Sequence, residues 1–132
     1  MAVVVCGLAL VAGFDLDRVF YPTMLIVVAH YYILFAVMGG STWALAMDAA
    51  GAVVFLALAV AGFKKNLWLA AGGLAGHGVF DLFHGLFFDN PGVPAWWPGF
   101  CCAFDVLAGG FLAMLLLWRP SFCALPEPSR RA

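Results

Sequence analysis

Long apolar stretches separated by short polar or glycine-containing connections dominate the pattern along this chain. A membrane-spanning helix needs about 20 mostly apolar residues, and four stretches have that character: residues 21–39, 43–62, 67–88 and 100–118. A fifth, residues 2–14, would rise only about 20 Å as a helix against a hydrocarbon core of about 30 Å. The pattern predicts an all-α integral membrane bundle of four to five transmembrane helices, in one domain covering residues 1–118.

Basic residues occupy only alternate connections, and this predicts an orientation. Cytoplasmic segments near helix ends carry an excess of Lys and Arg. We therefore expect the proline-containing tail, residues 119–132, to be cytoplasmic in a multi-pass protein of the cytoplasmic (inner) membrane, and residues 89–99 to face outward. The basic residues are Arg18, Lys64, Lys65, Arg119, Arg130 and Arg131.

Composition identifies the solvent and excludes one class of partner. The chain is 66% hydrophobic and 10% charged, whereas soluble domains are about 45–50% apolar and about 25% charged. Such an apolar surplus would lie on the outside of a soluble fold, so the expected partner is the lipid bilayer. The net charge is −1, and the absence of a basic cluster argues against nucleic acid.

The four cysteines are predicted to be thiols, because they are too scattered for a disulfide framework. They are Cys6, Cys101, Cys102 and Cys123.

Ionisable residues inside the apolar stretches are the candidates for chemistry. Each costs roughly 2.5–3.5 kcal/mol on insertion scales, so each requires a reason. Counting the helical rise from the centre of each stretch puts the three aspartates about 5–8 Å to the outer side of the midplane. The spacing His77-x3-Asp81-x2-His84 puts three side chains on one helical stripe. We therefore expect a polar pocket in the outer half of the bundle, drawn from Asp48, Asp81, Asp105, His30, His77 and His84.

These groups include metal ligands. Imidazole, thiolate and carboxylate together suit a divalent metal such as zinc, and the same groups could relay protons. The alternative is that they are structural contacts between helices, which average only about 0.6 kcal/mol each. His30 is interpreted as a packing histidine. The candidate metal ligands are His77, Asp81, His84 and Asp105, with Asp48 and Cys101 as weaker candidates.

The outer connection, residues 89–99, contains three prolines and the pair Trp96-Trp97. Such a pair is typical of an aromatic anchor at the membrane interface, on a turn made rigid by proline. A lid over the pocket is the alternative, because this connection joins the stretches that carry His84 and Asp105.

Two patterns of small residues predict close packing of helices, with formation of a homo-oligomer as the alternative. They are Gly72-x3-Gly76 and Gly109-x3-Ala113.

Three sequence segments resemble a known family. They are Tyr31-Tyr32-x2-Phe35-Ala36, His77-Gly78-x2-Asp81-x2-His84, and Asn90-Pro91-Gly92-Val93-Pro94-x-Trp96-Trp97-Pro98-x-Phe100-Cys101-x3-Asp105. Over residues 21–118 the chain resembles a family of small, functionally uncharacterised bacterial polytopic membrane proteins. The resemblance implies a bacterial cytoplasmic membrane and a helical bundle, and it carries no activity. The adjacent Cys101 and Cys102 are also loosely similar to mercury transport proteins, whose remaining pattern this chain lacks.

Three functions remain open from the sequence. The first is a metal-dependent intramembrane enzyme acting on a lipid or isoprenoid, with His77, Asp81, His84 and Asp105 holding the metal. The second is a soft-metal or proton transporter that uses Asp105, Asp81 and His77 and leads toward His30. The third is a structural subunit of a larger membrane complex. The metal content of the purified protein separates the first two functions from the third.

Overall fold

A computed structural model describes residues 1–14 and 17–119. The predictions for Arg130, Arg131, Cys123 and the tail beyond Arg119 lie outside these residues. Cys6, Cys101 and Cys102 are free thiols, as expected.

Five helices make up the described part of the chain, which contains no strand, so the all-α prediction is confirmed. The last helix begins three residues before the expected start at Phe100, because proline is tolerated in the first turn of a helix and Pro98 lies there. The helices are α1 (Ala2–Ala12), α2 (Phe20–Met38), α3 (Thr42–Lys64), α4 (Trp68–Phe87) and α5 (Trp97–Trp118).

Three of these helices, α2, α3 and α5, are long and apolar enough to cross a membrane, which indicates a multi-pass membrane protein. The first helix, α1, has only 11 residues, in keeping with its expected shortness. The fourth, α4, has 20 residues but is less apolar than expected for a span, because it carries His77, Asp81 and His84. It packs against α5, α3 and α2, so its polar side chains face protein rather than lipid.

Contacts between connections define the two ends of the bundle. At one end the Arg18 guanidinium donates a hydrogen bond to the Phe63 carbonyl oxygen at 3.2 Å, which brings the start of α2 next to the end of α3. At the other end Gly39 lies against Gly92, so the α2–α3 and α4–α5 connections meet. A methyl group at Gly92 would collide with the Phe35 carbonyl oxygen, and the outer connection therefore lies directly on the end of α2.

Close packing of α4 and α5 depends on glycine. A Cβ atom at Gly78 would lie 3.0 Å from the Cys102 carbonyl oxygen, and one at Gly109 would lie 2.8 Å from the Ala71 carbonyl oxygen. The prediction for Gly109 is confirmed in this contact. The prediction for Gly72 and Gly76 is wrong within the described residues, because a Cβ at either would meet nothing within 4 Å. Gly78, on a different face of α4, makes the close contact instead.

Candidate metal centre

Two helices contribute two side chains each to a buried cluster. His77 and Asp81 are four residues apart on α4, and Cys101 and Asp105 are four residues apart on α5, so each pair lies on one face of its helix. One ligand atom from each of the four lies within 4.8 Å of the others. All four side chains are at most 2% exposed. We call these four residues the four-ligand cluster.

His77 is at the centre of this cluster. Its Nδ1 donates a hydrogen bond to Asp105 Oδ2 at 2.6 Å, and the same nitrogen lies 3.5 Å from Asp81 Oδ2. The Cys101 thiol donates to Asp105 Oδ2 at 3.6 Å. The cluster thus contains two hydrogen-bond donors and two carboxylates, and Asp105 accepts both hydrogen bonds.

The four-ligand cluster leaves oxygen atoms without hydrogen bonds. Among the described residues, neither Asp81 oxygen has a hydrogen-bond partner of acceptable geometry, and Asp105 Oδ1 also has none. Buried polar atoms in proteins are nearly always hydrogen-bonded, and a buried carboxylate without a partner is especially costly. The arrangement calls for a further group, either protons or a cation, between these oxygens.

A second polar cluster is fully occupied by hydrogen bonds. His84 Nε2 donates to Asp48 Oδ1 at 2.7 Å, and Asn90 Nδ2 donates to Asp48 Oδ2 at 2.7 Å. Asn90 Nδ2 also donates to the Tyr32 carbonyl oxygen at 3.1 Å, and the Gly92 amide donates to Asn90 Oδ1 at 3.1 Å. We call Asp48, His84 and Asn90 the Asp48 network.

The structure thus divides the candidate ligands into two groups. His84 and Asp48 lie apart from His77, Asp81 and Asp105. The fourth member of the cluster is Cys101, which was expected to be a weaker candidate. The physical reason is axial distance. His84 lies seven residues beyond His77, which is about 10.5 Å along a helix even where the two share a stripe, too far for two ligands of one ion.

Tyr32 is one of two residues that sequence reasoning missed, and Asn90 is the other. Its ring stacks on His84 with centroids 4.1 Å apart, and its hydroxyl group interacts with Asp81. It also lines a cavity of about 10 Å³, together with Asp48 and His77, which is about the space of one water molecule. The sequence shows two adjacent tyrosines, and only packing decides that Tyr32 is buried while Tyr31 lies at the surface.

His30 and the tryptophan pair lie outside both clusters. His30 is exposed, and its Nδ1 donates to the carbonyl oxygen of Ile26 in its own helix at 2.6 Å, so the packing interpretation does not hold. Trp96 is exposed. Trp97 packs on Tyr31 with ring centroids 4.9 Å apart. Within the outer connection, it is Asn90 that hydrogen-bonds to a candidate ligand, and that ligand is Asp48.

The four-ligand cluster has nearly the dimensions of a tetrahedral metal site. Ligand atoms 2.0–2.3 Å from a tetrahedral zinc ion are about 3.3–3.8 Å apart, so a spread of 4.8 Å needs only a small contraction. The 2.6 Å contact of His77 with Asp105 Oδ2 is too short for two ligands of one ion. The free Asp105 Oδ1 provides the alternative ligand atom after a rotation of the carboxylate.

Comparison of this chain with protein-family models, curated proteins and solved structures finds no match.

Proposed function

We propose that this protein binds a divalent metal ion, with zinc as the best fit, on His77, Asp81, Cys101 and Asp105 within a bundle in the cytoplasmic membrane. One observation carries the proposal. Asp81 is 0% exposed, has no hydrogen bond of acceptable geometry to either oxygen, and lies within ligand distance of three other donor groups.

Charge balance favours a cation over a purely structural role. Two carboxylates face a single histidine, so one negative charge remains even when His77 is protonated. An uncompensated buried charge costs several kcal/mol, whereas a polar contact between membrane helices contributes on average about 0.6 kcal/mol. A structural contact is therefore too weak to account for the buried Asp81 carboxylate, whereas a divalent cation would balance the charges of Asp81 and Asp105, and Cys101 would join it as a thiolate.

The donor set favours zinc. Nitrogen, sulfur and oxygen ligands together suit zinc better than magnesium or calcium, which prefer oxygen alone. Four protein ligands fill a tetrahedral zinc site, so hydrolysis of a lipid or isoprenoid would require one of them to give way to water or to a substrate oxygen. Transport toward His30 is disfavoured, because that side chain is exposed and hydrogen-bonds to its own helix.

The test is metal analysis of detergent-purified protein. We expect one zinc per chain in the wild type and none in Asp81→Asn, because the amide keeps the volume but loses the charge. Asp89→Asn is the matched control, since Asp89 is exposed and outside the cluster. A wild-type protein that takes up no zinc when it is offered would refute the proposal and favour the structural reading.

We also propose a bacterial cytoplasmic membrane as the location, with the end that carries Lys64, Lys65 and Arg119 on the cytoplasmic side. The positive-inside rule supports this orientation, and the family resemblance supports the membrane. In intact cells, a membrane-impermeant thiol reagent should label Trp96→Cys above the background of the native cysteines. Labelling only after the cytoplasmic side is exposed would reverse the orientation.

A further inference from the structure

An open groove runs between α1, α2 and α5. It has a volume of about 680 Å³, and its wall is almost entirely apolar. Its helices α2 and α5 are both candidate membrane spans, so the groove lies at the depth of the hydrocarbon. Residues that represent its three sides are Val5, Val19, Val27, Val28, Phe104 and Trp97.

Cys101 connects this groove to the four-ligand cluster. It is part of the groove wall and also a member of the cluster, where its thiol donates to Asp105. His77, Asp81 and Asp105 do not line the groove. A molecule in the groove would therefore meet the cluster at Cys101, at the end of the groove near Trp97.

The length and the volume of the groove suit a hydrocarbon chain. On α2 it extends from Val19 to Tyr31, which is about 18 Å at the helical rise. A single hydrocarbon chain is narrow enough, and the volume falls within the range of about 300–1,000 Å³ found for ligand pockets.

We propose that this groove binds one long hydrocarbon chain of a lipid or isoprenoid, with the polar end of that molecule at Cys101 and the chain running toward Val19. This inference rests on the proposed metal site, because it supplies the substrate class of that site. The polarity of the groove fits this direction. At the end near Val19, the Asp17 carboxylate already accepts a hydrogen bond from the Val19 amide. At the Cys101 end, the groove adjoins carboxylate oxygens that accept no hydrogen bond from the described residues.

Photo-crosslinking with a lipid probe tests the groove directly. The full chain is reconstituted in vesicles of phosphatidylethanolamine and phosphatidylglycerol that contain a trace of phosphatidylglycerol with a diazirine in one acyl chain. Val28 lines the groove and is only 7% exposed, so a crosslink there reports a chain that lies deep in the groove. We expect crosslinks at Val28, and peptide mapping by mass spectrometry would locate them.

A groove-filling variant and a matched control make the test specific. Val27→Trp adds bulk to the groove wall and should reduce the crosslink at Val28 about tenfold, equivalent to about 1.4 kcal/mol of binding. Val53→Trp makes the same change on an exposed face of α3 and should leave the crosslink unchanged. No crosslink at Val28 in the wild type, or one that persists in Val27→Trp, would overturn the inference.

The zinc content of the same samples separates this inference from the metal proposal. We expect Val27→Trp to keep one zinc per chain while losing the crosslink. Zinc present without any crosslink at Val28 would overturn the groove and leave the metal site standing. Moving the diazirine from the chain end to the position next to the ester should shift labelling from Phe20 toward Phe100. Labelling in the reverse order would overturn the proposed direction.

Discussion

The two polar clusters of this bundle use similar residues in opposite ways. In the Asp48 network, each Asp48 oxygen accepts one hydrogen bond, from His84 and from Asn90. In the four-ligand cluster, neither Asp81 oxygen nor Asp105 Oδ1 accepts a hydrogen bond of acceptable geometry from any described residue. Both clusters are buried and both pair an aspartate with a histidine, so residue type and burial do not distinguish them.

The difference lies in where the hydrogen-bond donors come from. Asn90 belongs to the connection between α4 and α5 and supplies donors to Asp48 and an acceptor to the Gly92 amide. That connection fastens the ends of α2, α3 and α4 together. Among the described residues no hydrogen bond of acceptable geometry reaches Asp81, although the Tyr32 hydroxyl interacts with it. A satisfied network stabilises the fold, whereas an unsatisfied group of ligands is suited to binding.

The largest expected effect is the loss of stability from breaking the Asp48 network. Asp48→Ala leaves His84 Nε2 and one N–H of the Asn90 amide without their acceptor, and should lower the free energy of unfolding by about 3–5 kcal/mol. Thermal unfolding in detergent measures this, with the exposed Asp89→Ala as control. The loss should be the same with and without zinc. A zinc-dependent loss would mean that Asp48 belongs to the metal site after all.

The second effect concerns the four-ligand cluster. Asp81→Asn should weaken zinc binding by at least about 100-fold, or 2.7 kcal/mol, while the stability of the metal-free protein is maintained or rises, because an unpaired buried carboxylate is removed. Zinc at 100 times its dissociation constant should stabilise the wild type by about 2.7 kcal/mol and the variant hardly at all. Equal zinc responses in both proteins would contradict the assignment.

His84→Gln provides the sharpest distinction between the clusters. The sequence pattern predicts that it behaves like His77→Gln, whereas the structure places His84 in the Asp48 network. We expect His77→Gln to lose zinc binding and His84→Gln to keep it, with a loss of stability of about 1–3 kcal/mol from the weakened hydrogen bond. Isothermal titration with zinc compares the two variants. Loss of zinc binding in both would mean that His77 and His84 belong to one metal site.

A change in helix separation should affect the four-ligand cluster selectively. Gly78→Val would place a side chain against the Cys102 carbonyl oxygen and the Asp105 side chain. This overpacking should lower the free energy of unfolding by about 1–3 kcal/mol. Zinc affinity should fall as α4 and α5 separate. Gly76→Val is the matched control, because Gly76 faces open space on the other side of the same helix, two residues away. Equal effects of the two substitutions would indicate helix propensity rather than helix separation.

The smallest effect is expected at His30. His30→Gln removes a hydrogen bond to Ile26 within one exposed helical turn, so stability should change by less than about 0.6 kcal/mol and zinc binding should not change. Thermal unfolding and zinc titration of this variant set the baseline against which the other substitutions are read. A clear loss of zinc binding would instead support the alternative of a transporter that moves the ion toward His30.

The sequence by itself determined the helical class, the approximate helix bounds and the identity of most of the polar residues inside the bundle. These follow from local physics, since runs of apolar residues, short connections and costly buried charges can all be read along the chain. Glycine patterns were a weaker guide. They predicted Gly109 correctly and misplaced the contact on α4, because which face of a helix meets a neighbour depends on how the whole bundle packs.

Only the tertiary structure decided how the polar residues are grouped. The histidines on α4 share a stripe, but their partners come from different elements: Asp105 from α5 for His77, and Asp48 from α3 for His84. Helical periodicity fixes direction around one helix, whereas the partner at each height depends on the tilt and separation of the neighbouring helices. For the same reason Tyr32 and Asn90 could not be assigned from the sequence, because their roles arise from contacts with residues 42 or more positions away.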